Sequence, residues 1–268
     1  MHLWRLSATF WRLMSFHLDL RSASPFEWID SMSAFIFLGS KGGAGRTASS
    51  VVLATGLAAM GLRPVHLQVT MSECPPVIAL ASGVPFATAW LPEKRANQER
   101  ICQIIEAHSE CATVVIDMPK REIENSTLPD LRAAAIFPMR RARHEIEVAV
   151  RDYRDLQSLK ATDSRDERMR AQQYSPWLLP VSWPPGLSDH DFTLRVARVA
   201  SSSRSRASSL SILMPGLPEI PRNDLDDLIN GDAFHCSPMI SNAAATLARA
   251  AIEIARQWKR PSEGSRAT

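Results

Sequence analysis

The sequence predicts an α/β domain: a mostly parallel, twisted sheet with helices on both faces. Three observations carry that expectation. From Met32 onward, apolar runs of strand length alternate with segments of helical periodicity, the pattern of repeated βαβ units. One run, "CATVVIDMP" (111–119), is rich in valine and isoleucine and holds no charge before Asp117, as suits a strand buried on both faces. Another, "AFIFLGS" (34–40), leads directly into a glycine-rich turn and then a helix.

The elements follow in order. "AFIFLGS" is the first strand, and Thr47 to Met60 is an amphipathic helix closed by Gly61, since glycine accepts the positive φ of a helix end. "RPVHLQVT" is the next strand, and Glu93 to His108 reads as a helix. "CATVVIDMP" is the central strand; "LRAAAIFPM" is another, followed by a helix from Arg143 to Leu159. "SPWLLPVSW" is a weaker strand, because Pro180 removes a ladder donor. Asp189 to Ala200 is a helix, "SLSILMP" is a last strand, and Asp224–Asn230 and Ile240–Trp258 are the final helices. Parallel strands joined through helices require right-handed crossovers. There is no internal repeat.

Composition narrows the class. The 268 residues are 45% hydrophobic and 22% charged with a net charge of +3, which describes an ordinary globular protein and does not demand a nucleic-acid partner. Cys74, Cys102, Cys111 and Cys236 form no C-x-x-C pair, which argues against a zinc knuckle or a disulfide scaffold and for a reducing, cytoplasmic setting. No apolar run approaches the ~18 residues of a membrane span. Residues 1–31 carry Leu3, Trp4, Leu6, Phe10, Trp11, Leu13 and Met14 at roughly helical spacing. They are read as an N-terminal extension from an upstream start, with a membrane-surface helix or a targeting segment as alternatives. Residues 32–260 are read as the domain. Residues 261–268 are read as a polar, disordered tail.

The turn after the first strand carries the chemistry. Ser40-Lys41-Gly42-Gly43-Ala44-Gly45-Arg46-Thr47 lies close to the G-x-x-x-x-G-K-[ST] pattern. Its glycines let the backbone curl into a nest of N–H donors, and the helix that follows adds its positive end, so anions bind there. Thr47 offers a hydroxyl to a hard cation. A tight turn with no ligand is the bland alternative.

"KGGAGRT" resembles the K-G-G-x-G-K-[ST] loop of the ParA/MinD ATPases, the deviant P-loop group. The resemblance continues in "ATVVIDMP", which matches the strand ending in the switch II aspartate, here Asp117. It extends to "AAAIFPMRRARHEIEVAV", and to "LPEIPRNDLDDLINGDAF" and "SPMISNAAATLARAAIEIA", which are similar to the closing base-binding loop and last helix. It covers about Met32 to Trp258 and is weakest around 72–110 and 160–210. It implies a three-layer P-loop NTPase fold, ATP and Mg²⁺ as ligands, and a nucleotide-dependent homodimer. Ser40 to Ala48, with Pro221 and Arg222, would contact the nucleotide. Thr47 and Asp117 would hold the metal. Lys41 would reach the partner's phosphates, and Lys41 and Asp117 would be the catalytic pair.

The chain also departs from that pattern. Arg46 stands where the family has lysine; it keeps the charge but presents a larger planar fork. Gln68 and Thr70 stand where the second strand usually ends in an acidic pair, so no carboxylate is left to orient an attacking water. The adenine-reading asparagine has no counterpart in "LLPVSWPPG"; Ser182 is the nearest polar residue. Binding is therefore expected without efficient hydrolysis, since loss of a positioned base costs on the order of 100-fold or more. Asp117 also has a purely structural reading, as a cap on the turn at its strand end.

Neighbouring enzyme classes fit less well. Nitrogenase-type iron proteins need a cluster-holding cysteine pair, and neither Cys102 nor Cys111 is so placed. Bacterial tyrosine kinases carry tyrosine clusters, whereas Tyr153 and Tyr174 are isolated. The resemblance further implies a role in DNA segregation, plasmid maintenance or conjugative transfer, with a centromere-binding or transfer-system partner protein. A non-catalytic scaffold and a MinD-like positioning factor are the alternatives. Arg195, Arg198, Arg204 and Arg206 are candidate contacts to nonspecific DNA, and Arg249, Arg256, Lys259 and Arg260 form a second basic group. The C-terminal "RQWKRPSEGSRAT" has one tryptophan and a proline break, a poor membrane anchor.

Overall fold

The computed structural model describes residues 33–40, 42–111, 113–119, 133–159, 174–184, 188–201, 210–213 and 215–259. Among the described residues six strands form one sheet: β1 (Ser33–Phe37), β2 (Pro64–Thr70), β3 (Ala87–Pro92), β4 (Thr113–Asp117), β5 (Ala133–Met139) and β6 (Tyr174–Pro180). Their order is β3-β2-β4-β1-β5-β6, and every pairing is parallel. The helices are α1 (Arg46–Ala59), α2 (Val77–Leu80), α3 (Gln98–Ala107), α4 (Arg143–Leu159), α5 (Asp189–Ser201), α6 (Arg222–Asn230) and α7 (Pro238–Lys259).

Strand alternation splits the core into two layers. Ala34, Ile36 and Leu38, Val114 and Ile116, and Ala133, Ala135 and Phe137 face α3, α4 and α5. Phe35 and Phe37, Val115, and Ala134 and Ile136 face α1, α6 and α7. Period-2 placement of apolar side chains on both faces is what a doubly covered parallel sheet requires. On the second face α1 crosses α7 at Gly56, where a Cβ would sit 2.0 Å from the Ala244 carbonyl oxygen. Only glycine permits so close an approach. Gly61 ends α1 at φ +82°, the cap role expected of it.

Three expectations need correction. The stretch from Glu93 to His108 is not one helix. Pro92 ends the additional strand β3, Glu93–Arg95 form a 3₁₀ turn, and the Asn97 side chain accepts from Arg100 N to start α3 afresh. Among its described residues, "SLSILMP" makes a single parallel bridge, Leu178 to Ile212, rather than a ladder strand. The "SPWLLPVSW" strand is a full edge strand, β6, and Pro180 is its last residue, where a missing donor costs no ladder bond. Residues 1–31, Arg260 and the 261–268 tail lie outside the described residues. Among the described residues no helix is long and apolar enough to cross a membrane.

Candidate functional site

Topology sets the site at the carboxyl ends of the central strands. β1 lies between β4 and β5, and Phe37, the last residue of β1, is in register with Asp117, the last of β4. The loop leaving β1 therefore begins beside Asp117, in the crevice where open α/β sheets hold ligands.

The loop itself is built by its glycines. Gly43 and Gly45 sit at φ +79° and +89°, the left-handed region that side chains resist. A Cβ on Gly45 would also press to 2.9 Å from Val181 Cγ1, so this glycine is required by shape as well as by φ. Gly45 caps α1 without a side-chain hydrogen bond, and the first turn of the helix carries no acid. The N–H groups opening α1 thus remain available to an anion.

At the mouth of α1, the Arg46 Nε donates to Asp117 Oδ1 as an ion pair, and its Nη1 reaches the Gly39 carbonyl at 3.4 Å. The Thr47 hydroxyl donates to Asp117 Oδ2 at 2.6 Å. Both oxygens of this fully buried carboxylate are engaged by consecutive residues of one helix. Gln68 is the β2 residue in register with Asp117, and its Oε1 is buried without a donor among the described residues. Thr70, two residues on, accepts from Ser72 N at 3.2 Å and shapes the turn that leaves β2.

Two supports were not legible in the sequence. The first is Asp152 of α4, buried, whose Oδ2 accepts from both the backbone N–H and the hydroxyl of Ser40 at 2.8 Å each. Its one signal was position: an acid lying between Ala149 and Tyr153 on the apolar stripe of α4. The second is His66 of β2. The Ser50 hydroxyl gives its proton to the Thr47 carbonyl at 2.8 Å, so the 2.9 Å contact between Ser50 Oγ and His66 Nε2 assigns the proton to Nε2. Burial lowers the His66 pKa to about 4, opposed in part by the nearby Asp117 charge, and the ring is neutral.

The remaining predicted residues divide. Ser40, Gly42, Gly43, Ala44, Gly45, Arg46, Thr47 and Ala48 line the loop and the start of α1, whereas Lys41 lies outside the described residues. Ser182 follows β6 in a left-handed conformation at φ 55°. The closing loop is tied to the same end of the sheet by Leu217 N donating to the Pro180 carbonyl at 2.8 Å. Pro221 and Arg222 are exposed at the start of α6, and Arg222 faces Asp226 at 3.6 Å. Arg195 and Arg198 are exposed on α5; Arg204 and Arg206 lie outside the described residues.

No protein-family model matches the chain, and no curated protein does. Solved structures do. Cobyrinic acid a,c-diamide synthase from Mycobacterium smegmatis, with bound ADP and magnesium, is 14% identical over 85% of this chain and 96% of that one, with a TM-score of 0.53. The same enzyme with an ATP analog and magnesium is 13% identical over the same shares, with a TM-score of 0.52. The chain has a P-loop NTPase fold. The Aquifex aeolicus cell division protein MinD is a further similar structure, 16% identical over 84% of this chain and 96% of that one at a TM-score of 0.49. Within the P-loop fold, the six-strand parallel sheet brings the glycine loop, Thr47 and Asp117 to one point.

Proposed function

We propose that this chain is a ParA/MinD-like, ATP-binding dimerisation switch with weak or lost hydrolysis, acting in DNA segregation, plasmid maintenance or conjugative transfer. The observation that carries the reading is the joint placement of Arg46 and Thr47 on Asp117, directly below an uncapped helix start. Backbone N–H groups and the Arg46 charge suit a polyphosphate. The bound ADP, ATP analog and magnesium of the similar structures support ATP with Mg²⁺ as the ligand pair.

The residues fit a hard divalent cation. The Thr47 hydroxyl donates a hydrogen bond to Asp117 and keeps oxygen lone pairs with which it, together with the Asp117 carboxylate, would hold the metal. When bound, Mg²⁺ supplies charge neutralisation to the phosphates. Thr47 and Asp117 position it, Arg46 adds a fixed guanidinium, and the loop orients the nucleotide. The missing element is a base, because Gln68 occupies the place facing Asp117 and has no proton-accepting carboxylate. ATP is then held rather than consumed. By the family resemblance, Lys41 completes the site of a second copy, and nonspecific DNA and a partition or transfer protein read the dimer.

Calorimetry with ATP and Mg²⁺, followed by light scattering with and without nucleotide, tests this. Saturable binding, with a monomer-to-dimer shift lost in Lys41→Ala, is expected. Absence of binding at millimolar ATP would leave the non-catalytic scaffold, the reading that the engagement of both Asp117 oxygens would then explain.

A further inference from the structure

A second concave site lies on the other helical layer. A cavity of about 620 Å³ opens between the start of α4 and the exposed face of α5, outside the carboxyl ends of β5 and β6. Its rim carries Arg141, Arg143, Arg195 and Arg198, and its floor is apolar, with Trp183 and Leu194. The Trp183 ring is locked edge-on against Phe192, with centroids 4.5 Å apart, so the floor is rigid. Leu194 is a large apolar side chain left 43% exposed there.

We infer that this cavity receives an acidic peptide segment of a partner protein, one that carries an aliphatic or aromatic anchor between carboxylates. The charge balance points that way. Arg141 and Arg195 have no ion-pair partner among the described residues, while Arg143 shares its charge with Glu147 at 2.8 Å. Asp191, the one carboxylate on the rim among the described residues, already accepts from the Ser188 hydroxyl at 2.7 Å and the Ser188 N–H at 3.3 Å. Guanidinium forks bind carboxylates in bidentate fashion, and clustered arginines are the usual receptors for acidic motifs.

The lining also selects among anions. Among the described residues its polar groups are four guanidiniums, Asp191 and the buried, unpartnered Trp183 indole N–H. A duplex would offer phosphates to the rim and leave Leu194 and the floor uncovered. An apolar anchor covers them, and a volume of this size lies within the usual range of ligand-sized pockets, about 300–1,000 Å³. The site is independent of the nucleotide reading and stands or falls separately.

The test is fluorescence anisotropy with the full chain and three labelled probes. These are a glutamate-rich peptide with a central leucine pair, the same peptide with serines for leucines, and a random-sequence duplex DNA. The leucine peptide is expected to bind saturably. Binding should weaken about tenfold in Arg195→Ala and in Arg141→Ala, the loss of one charged pair, and by a similar factor in Leu194→Ser or with the serine peptide. All three side chains are exposed, so unchanged thermal melting is expected to confirm that the variants fold. Equal binding of the leucine and serine peptides would overturn the anchor and with it the proposal. Tighter duplex binding, lost in the same arginine variants, would assign the site to nucleic acid instead. No anisotropy change up to about 1 mM peptide would show that the cavity is not a peptide site.

Discussion

Asp152 and Ser40, 112 residues apart in sequence, are joined by two 2.8 Å hydrogen bonds to a single carboxylate oxygen. The bonds fix the first turn of the glycine loop to α4, the helix on the opposite side of the sheet from α1. Arg151 Nε lies 3.8 Å from the other oxygen of Asp152. The loop's shape is thus set from both layers, by glycine conformation from within and by Asp152 from outside.

Removing that carboxylate should loosen the loop. In Asp152→Ala two Ser40 donors lose their acceptor, a cost of about 1–3 kcal/mol. Ser40→Ala removes only the hydroxyl bond and should cost less. Urea unfolding measures the stability difference, and nucleotide calorimetry the affinity. The expected order of weakening in both is Asp152→Ala, then Ser40→Ala, then the native chain.

The neutral His66 predicts a pH-dependent stability. Its folded pKa is about 4 against an ordinary 6.5, so between those values the unfolded chain binds the extra proton. The contribution is intact above pH ~6.5 and is lost as pH falls through 4, amounting to roughly 3 kcal/mol for a shift of this size. Glutamine at this position keeps a donor for Ser50 and does not titrate. The native-minus-variant difference in urea midpoint for His66→Gln should therefore slope between pH 6.5 and 4 and be flat above; a flat difference throughout would rule out His66 as the titrating group.

The α1–α7 crossing predicts an asymmetry between two glycines. At Gly56 the obstacle is backbone, the Ala244 carbonyl at 2.0 Å, so Gly56→Ala must push two helices apart and should cost about 3 kcal/mol. At Gly61 a Cβ meets nothing within 4 Å, and only the +82° φ is unfavourable. Gly61→Ala should cost about 1 kcal/mol. Comparable losses at both positions in chemical unfolding would contradict the close crossing.

Much of this was legible because it is local. The β1–loop–α1 unit, the valine-rich β4 and the α4 helix from Arg143 to Leu159 announce themselves by periodicity and glycine placement. β3 did not, because "ATAWLP" is short and half-buried at the sheet edge and lacks a continuous apolar run. The break before α3 depends on the Asn97 cap, whose signal was outweighed by the charged helical run around it. The glycine loop and Thr47 were marked by motif spacing, and Asp117 by the family resemblance. Asp152 and His66 did not, because each acts through a partner distant in sequence, and no local pattern marks an acid or a histidine as the side chain that reaches it.

The last prediction concerns turnover. Arg46 is committed to Asp117 and the Gly39 carbonyl, so its guanidinium is already shared with a carboxylate and a carbonyl. Gln68, in register with Asp117, offers an amide where hydrolysis needs a water-orienting carboxylate. One defect concerns charge neutralisation and the other concerns the nucleophile, yet both act on a single transition state, so their costs need not add. Phosphate release with saturating ATP, Mg²⁺ and nonspecific DNA should stay near the buffer control. Arg46→Lys should restore only part of the activity. It frees a compact cation for the phosphates but leaves the water unplaced. Adding Gln68→Asp and Thr70→Asp should raise the rate further, and only with lysine present, because without it a new carboxylate beside Asp117 would compete for the Arg46 guanidinium. Robust DNA-stimulated release by the native chain would mean that another side chain places the water, and would overturn the assignment of Gln68 as the missing base.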